Sequence, residues 1–188
     1  TPGKYWAEAQ LMGVKDPLPD DNRYSFVIDV VESTEVLLVN GEPSSEPWEG
    51  ETDFIANALS PGAESSFGIL PVVVTETSLP EKSLDQYNAV FLANTYSRLP
   101  EEFLLNLARF VRGGGALIIF TGDQTDAAIY SRQLGMNTEG KAQPWSGLLP
   151  AELTEVETTQ EEGWQLKPDF DSPYFRLLKG AAEPYLEK

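Results

Sequence analysis

The chain has 188 residues, 30 of them acidic and 13 basic, for a net charge of −17, and it contains neither Cys nor His. Those two absences exclude disulfides, thiolate nucleophiles, zinc–thiolate sites, Ser–His and Cys–His catalysis, imidazole metal ligands and a histidine pH switch. The charge excludes nucleic acid as an expected partner, because phosphates are held through Lys and Arg, whereas 41% hydrophobic residues suffice for a folded core.

The elements follow in chain order. Tyr5 to Leu11 reads as a short strand, Lys15 to Asn22 as a polar turn, and Arg23 to Val31 as a second strand with Tyr24, Phe26, Ile28 and Val30 on one face. Residues 1 to about 34 therefore read as the end of a preceding β-domain or as an added hairpin. From Glu35 the texture changes. Val36–Val39, Val72–Val74, Ala89–Ala93 and Ala116–Phe120 are apolar at every position, as suits strands buried on both faces of a parallel sheet. None approaches the length of a membrane span, so no direct membrane insertion by this segment is expected.

Helical patterns lie between these runs. Thr52 to Leu59 places Phe54, Ile55, Ala58 and Leu59 on one face, and Ser60-Pro61-Gly62 stops it. Pro100 to Arg112 is the best-marked helix. Pro100 suits the first helical position, Glu101 and Glu102 complement the N-terminal dipole, Arg109 and Arg112 the C-terminal one, and Gly113 is expected to cap the end in the left-handed region. Thr125 to Leu134 is expected as a third helix with Asp123 as its N-cap. Further on, Leu148 to Leu153 reads as a buried loop, Glu152 to Thr159 and Trp164 to Lys167 as edge strands, and Asp169 to Leu178 as a short helix. The alternation specifies an α/β fold: a three-layer, flavodoxin-like parallel sheet with helices on both faces, preceded by a short β segment.

In such sheets ligands bind at the carboxyl ends of the strands. Those ends supply the candidate site: Asn40 and Glu42 after the first parallel strand, Asn94 and Thr95 after the third, and Thr121 and Asp123 after the fourth, with the second strand ending at Thr75-Glu76. Gly113-Gly114-Gly115 follows a helix and precedes a strand, the reverse of a phosphate-cradling loop, and reads as a tight turn. Thr121-Gly122-Asp123 has the right order for an anion site, but Asp123 and Asp126 place negative charge there, which favours capping. The same two aspartates with Asn94 or Glu42 could face a divalent cation, yet no dense ligand spacing is present, and neither a metal nor another cofactor is expected. Asp20-Asp21-Asn22 reads as a solvated turn. Glu155, Glu157, Glu161 and Glu162 form an acidic cluster, either a solvated face or a docking surface for a basic partner. Trp48 reads either as an exposed anchor over the crevice or as a lid on the core.

These residues carry a resemblance. Val36-Leu37-Leu38-Val39-Asn40-Gly41, Ala58-Leu59-Ser60-Pro61, Tyr87 to Asn94, and Phe110 through Gly113-Gly114-Gly115 to Phe120 together resemble the class I glutamine amidotransferase-like domain. The closest likeness is to the divergent version in large bacterial membrane proteins of the aerotolerance (Bat) type, which often carry a von Willebrand factor A domain. Asp16 to Tyr24 resembles the end of the immunoglobulin-like domain that precedes it there, and Leu148-Leu149-Pro150-Ala151 and Asp171 to Phe175 resemble further segments. The resemblance implies an amidotransferase-like domain over residues 35–188 whose final strands lie beyond Lys188. It also implies a soluble domain of a membrane protein, with the extracytoplasmic side favoured.

Amidotransferases carry a Cys in the sharp turn after a central strand, with a His and a carboxylate later in the chain. Here that turn is Thr121-Gly122-Asp123-Gln124 and the chain has no His. The triad does not carry over, so the resemblance implies a non-catalytic module that serves interaction or assembly with a protein partner. Two rivals remain. One is a small polar ligand, a sugar or anion, in the crevice near Asn40, Asn94, Thr95 and Thr121. The other is a hydrolase with Asp123 or Glu42 as general base.

Overall fold

The structure, a computed structural model, describes residues 1–188 except 14, 16, 63–67, 82–83, 97, 137–142, 155–167, 174, 177–178 and 181–188. The chain divides into two units, Thr1–Leu153 and Thr154–Lys188. The first opens with an antiparallel hairpin of β1 (Gly3–Gln10) and β2 (Arg23–Val30), in which Gly3 faces Val30 and Gln10 faces Arg23. The strict alternation of β2 puts Tyr24, Phe26, Ile28 and Val30 on one face, and the register adds Tyr5, Ala7 and Ala9 to it. Apart from half-buried Ala7, both strands are exposed.

Four all-parallel strands follow: β3 (Thr34–Asn40), β4 (Ile69–Thr75), β5 (Ala89–Ala93) and β6 (Ala116–Phe120), in the spatial order β4-β3-β5-β6. Counted from the first parallel strand this is 2-1-3-4, the flavodoxin-like order. Helix α1 (Glu51–Leu59) connects β3 to β4, α2 (Glu101–Arg112) connects β5 to β6, and α3 (Ala127–Leu134) follows β6.

The continuous apolar runs are explained by burial on both faces. On one face Leu37, Val39, Val74, Val90 and Leu92 pack with Phe103, Leu104 and Leu107 of α2 and with Tyr130 and Leu134 of α3. On the other, Val36 and Leu38 are also buried, and α1 lies along β3 and β4. Each fully buried aliphatic side chain stabilises by about 1.5–3 kcal/mol relative to exposure. The protein is thus an α/β fold with helices on both faces of a parallel sheet.

Three local expectations are corrected. Helix α2 starts at Glu101, with Pro100 (φ −58°, ψ 140°) just outside it. Gly113 is not left-handed (φ −76°): its N–H still bonds the Arg109 and Phe110 carbonyls, and the left-handed residue is Gly114 (φ 101°). The triple glycine is nevertheless the expected tight turn. The N-cap of α3 is Asp126, whose carboxylate accepts from the Ile129 N–H at 2.9 Å, not Asp123.

Leu149 lies buried in a loop tied to Leu134 O, as read from the sequence. The expected strand at 164–167 and most of that at 152–159 lie outside the described residues, and Glu152–Thr154 is not strand. In the second unit the described residues of 169–176 form turns rather than the expected α-helix, with Lys179 paired to Asp171 at 2.9 Å.

Candidate functional site

The strand order reverses between β3 and β5, so their carboxyl ends form the switch-point crevice where open α/β sheets bind ligands. Asn40 ends β3 and Asn94 follows β5 directly. Asn40 is buried: its Nδ2 donates to the Thr52 hydroxyl at 2.9 Å and its Oδ1 accepts from the Glu42 N–H at 3.0 Å. That pair of bonds fixes the start of α1 and turns the chain so that Glu42 points back over the sheet edge.

Asn94 fills the crevice. It is 2% exposed and sits in the left-handed region (φ 47°), which Asn tolerates better than most residues. Its Nδ2 lies 3.1 Å from Glu42 Oε2, 2.9 Å from Glu51 Oε1 and 2.8 Å from Asp123 Oδ1. Its Oδ1 accepts from the Gln124 N–H at 2.9 Å. Two glycines make the fit possible. A Cβ on Gly41 would run into the Asn94 carbonyl, and a Cβ on Gly122 into the Asn94 side-chain amide.

Three carboxylates thus converge on one amide nitrogen. The neighbouring Asp123 charge, then desolvation and the Glu51 charge, push the Glu42 carboxyl above its ordinary value. Asp123 moves the other way, because the Asn94 amide donates to its charged form. One member of the pair holds a proton more readily than usual and the other less readily.

Of the residues predicted from sequence, Asn40, Glu42, Asn94 and Asp123 come together. Thr95 and Thr121 do not join them. Thr95 is fully buried and its hydroxyl bonds the Tyr130 hydroxyl of α3. Thr121 is exposed at the end of β6. One pair of residues escaped the sequence reading. Glu51 and Thr52 enter from the first turn of α1, and only the acidic start of that helix signals Glu51. Glu76, read from the sequence as the end of the second parallel strand, follows β4 and accepts from the Tyr96 N–H; burial raises the pKa of its carboxyl and of the Tyr130 hydroxyl.

The anion reading of Thr121-Gly122-Asp123 meets a physical objection. The Gly122 N–H is already bonded to the Thr125 hydroxyl at 3.2 Å and the Gln124 N–H to Asn94. Among the described residues no group of three or more acidic side chains is arranged to hold a metal ion. The amide nitrogen of Asn94 stands where a cation would need to sit. The acidic cluster at 155–162 lies outside the described residues. Trp48 is 55% exposed and packs against Phe54 of α1 at 5.8 Å, with its strained backbone (φ 67°) held by a bond from its N–H to Asp53.

Fold and site define an α/β protein of flavodoxin-like strand order whose switch-point crevice is closed by its own carboxylate–amide cluster. Comparison with family models, curated proteins and solved structures found no match to this chain. Among the described residues no helix is long and apolar enough to cross a membrane.

Proposed function

We propose that the chain is a non-catalytic, amidotransferase-like module of a larger membrane-anchored bacterial protein, serving protein interaction or assembly. The observation that carries this reading is the plugged crevice: Asn94 occupies the switch point, and its amide is bonded on every side to the chain's own groups. The missing Cys and His remove the nucleophile and base that an amidotransferase would need there. Beside the crevice, exposed Trp48 and Phe54 form an aromatic pair among Glu46, Glu49 and Asp53. Large aromatic anchors within a charged rim suit a docking surface, here for a basic partner.

The hydrolase reading keeps one supporting observation, the opposite displacement of the Glu42 and Asp123 carboxyls, since acid and base roles arise from such pairs. Ammonia release from L-glutamine and hydrolysis of p-nitrophenyl acetate decide between the two. Buffer-level rates are expected. Turnover that disappears in Asp123→Asn would replace the non-catalytic reading with the hydrolase. For the interaction, a photo-crosslinking residue at position 48 of the parent protein is expected to give a discrete adduct that high salt abolishes. The same residue at position 109 is expected to give none.

A further inference from the structure

Away from the strand-end cluster, a cavity of about 250 Å³ is lined by Arg98, Glu101, Ile129, Arg132, Gln133 and Trp145. Sites for drug-sized ligands run to roughly 300–1,000 Å³, so this one suits a smaller molecule. Basic residues are scarce in this chain, 13 among 188, yet two of them meet here. The ion pairs among the described residues are Lys4 with Asp29 and Lys179 with Asp171, so Arg98, Arg132 and Glu101 are not paired with one another or with other described charges. Gln133 holds the wall between them: its Nε2 donates to the Leu99 carbonyl at 2.9 Å, while its buried Oε1 has no hydrogen-bond partner.

The lining carries two guanidinium groups and one carboxylate. A ligand with two carboxylates and one ammonium balances those charges group for group. Guanidinium binds carboxylate through paired N–H donors. The ammonium then faces Glu101. Trp145 and Ile129 offer apolar surface to the short methylene chain between the charged ends. From this complementarity we infer that the cavity binds a dicarboxylic α-amino acid. The inference does not depend on the proposed function, because none of these residues belongs to the Asn94 cluster.

The test is calorimetric titration of the whole chain with L-aspartate and L-glutamate, alongside succinate and inorganic phosphate. At least one of the two amino acids is expected to bind at millimolar concentration or below. Arg98→Gln and Arg132→Gln should each weaken that binding tenfold or more. Glu101→Gln should weaken the amino acid but not succinate, which lacks the ammonium. All three side chains are exposed, so the variants are expected to keep the parent melting temperature. Absence of binding by both amino acids would overturn the assignment, as would affinity unchanged in the arginine variants. Succinate or phosphate binding as tightly as the amino acids, indifferent to Glu101→Gln, would make this a plain anion site instead.

Discussion

Asn94 offers two N–H bonds to three carboxylate oxygens, so one oxygen goes without. Glu42 resolves the conflict by keeping its proton to a higher pH than usual. A carboxyl whose pKa is raised by folding binds its proton better in the folded chain than in the unfolded one. Above its ordinary value of 4.5, stability therefore falls as pH rises through the raised pKa. Asp123 acts in the opposite sense. Its pKa is depressed below 3.8, so the stability it contributes is present above that value and lost as pH falls through the folded pKa. Glu42→Gln is accordingly expected to raise the melting temperature at neutral pH and to flatten the decline above 4.5, measured by thermal denaturation across the acid-to-neutral range. Asn94→Asp is the sharper test. It preserves shape and tolerance of the left-handed backbone but replaces the shared donor with a fourth carboxylate. A loss of about 1.5–3 kcal/mol is expected at neutral pH, the range for hydrogen bonds to charged groups, with partial recovery on acidification. Equal loss at both pH values would mean that the cluster contributes only shape. At this scale the strand-end rule located Asn40, Glu42, Asn94 and Asp123 from sequence. It could not separate Asn94 from Thr95, because adjacent residues leaving a strand point to opposite faces. Thr95 accordingly went to Tyr130 on α3.

The parallel strands were legible as elements because burial on both faces leaves an unmistakable pattern, and β5 and β6 fall where their apolar runs begin and end. The start of α3 was not. Asp123, Thr125 and Asp126 are all good capping residues within four positions, and propensity ranks them nearly alike. Tertiary partners made the choice. Asn94 takes the Asp123 carboxylate and the Gly122 N–H takes the Thr125 hydroxyl, which leaves Asp126 to cap Ile129. Asp126→Ala should therefore cost about 1 kcal/mol and raise amide exchange through the first turn of α3. Asp123→Ala should leave that exchange pattern unchanged. Fraying of α3 in the Asp123 variant instead would mean that the helix begins where the sequence alone placed it. Neither Gly122 nor Gly41 carried a sequence signal of its importance, since the close approach of Asn94 to each exists only once three strands have been brought together.

The two sheets of the first unit differ in what they contribute to the stability of the molecule. In the hairpin, apolar side chains share a face that remains exposed, and an isolated two-stranded sheet is only marginally stable in water. The parallel sheet buries the same residue types completely: Leu37, on the central strand β3 between β4 and β5, is 0% exposed, whereas Phe26 of the hairpin is 39% exposed. The net charge of −17 adds self-repulsion throughout, so packing in the parallel sheet and its helices must outweigh it. Leu37→Ala removes atoms that the surrounding core cannot replace and should cost about 2–5 kcal/mol. Phe26→Ala, on a face left exposed among the described residues, should change the same transition by about 0.5 kcal/mol or less while lowering the binding of a hydrophobic dye. Chemical denaturation followed by tryptophan fluorescence and by circular dichroism measures both variants. A loss in Phe26→Ala as large as that in Leu37→Ala would mean that the apolar face of the hairpin is covered in solution. The molecule would then unfold as one cooperative body. A small loss together with reduced dye binding places the stability in the parallel sheet and leaves the hairpin face free to be covered by something else, as the apolar side of an antiparallel sheet ordinarily is.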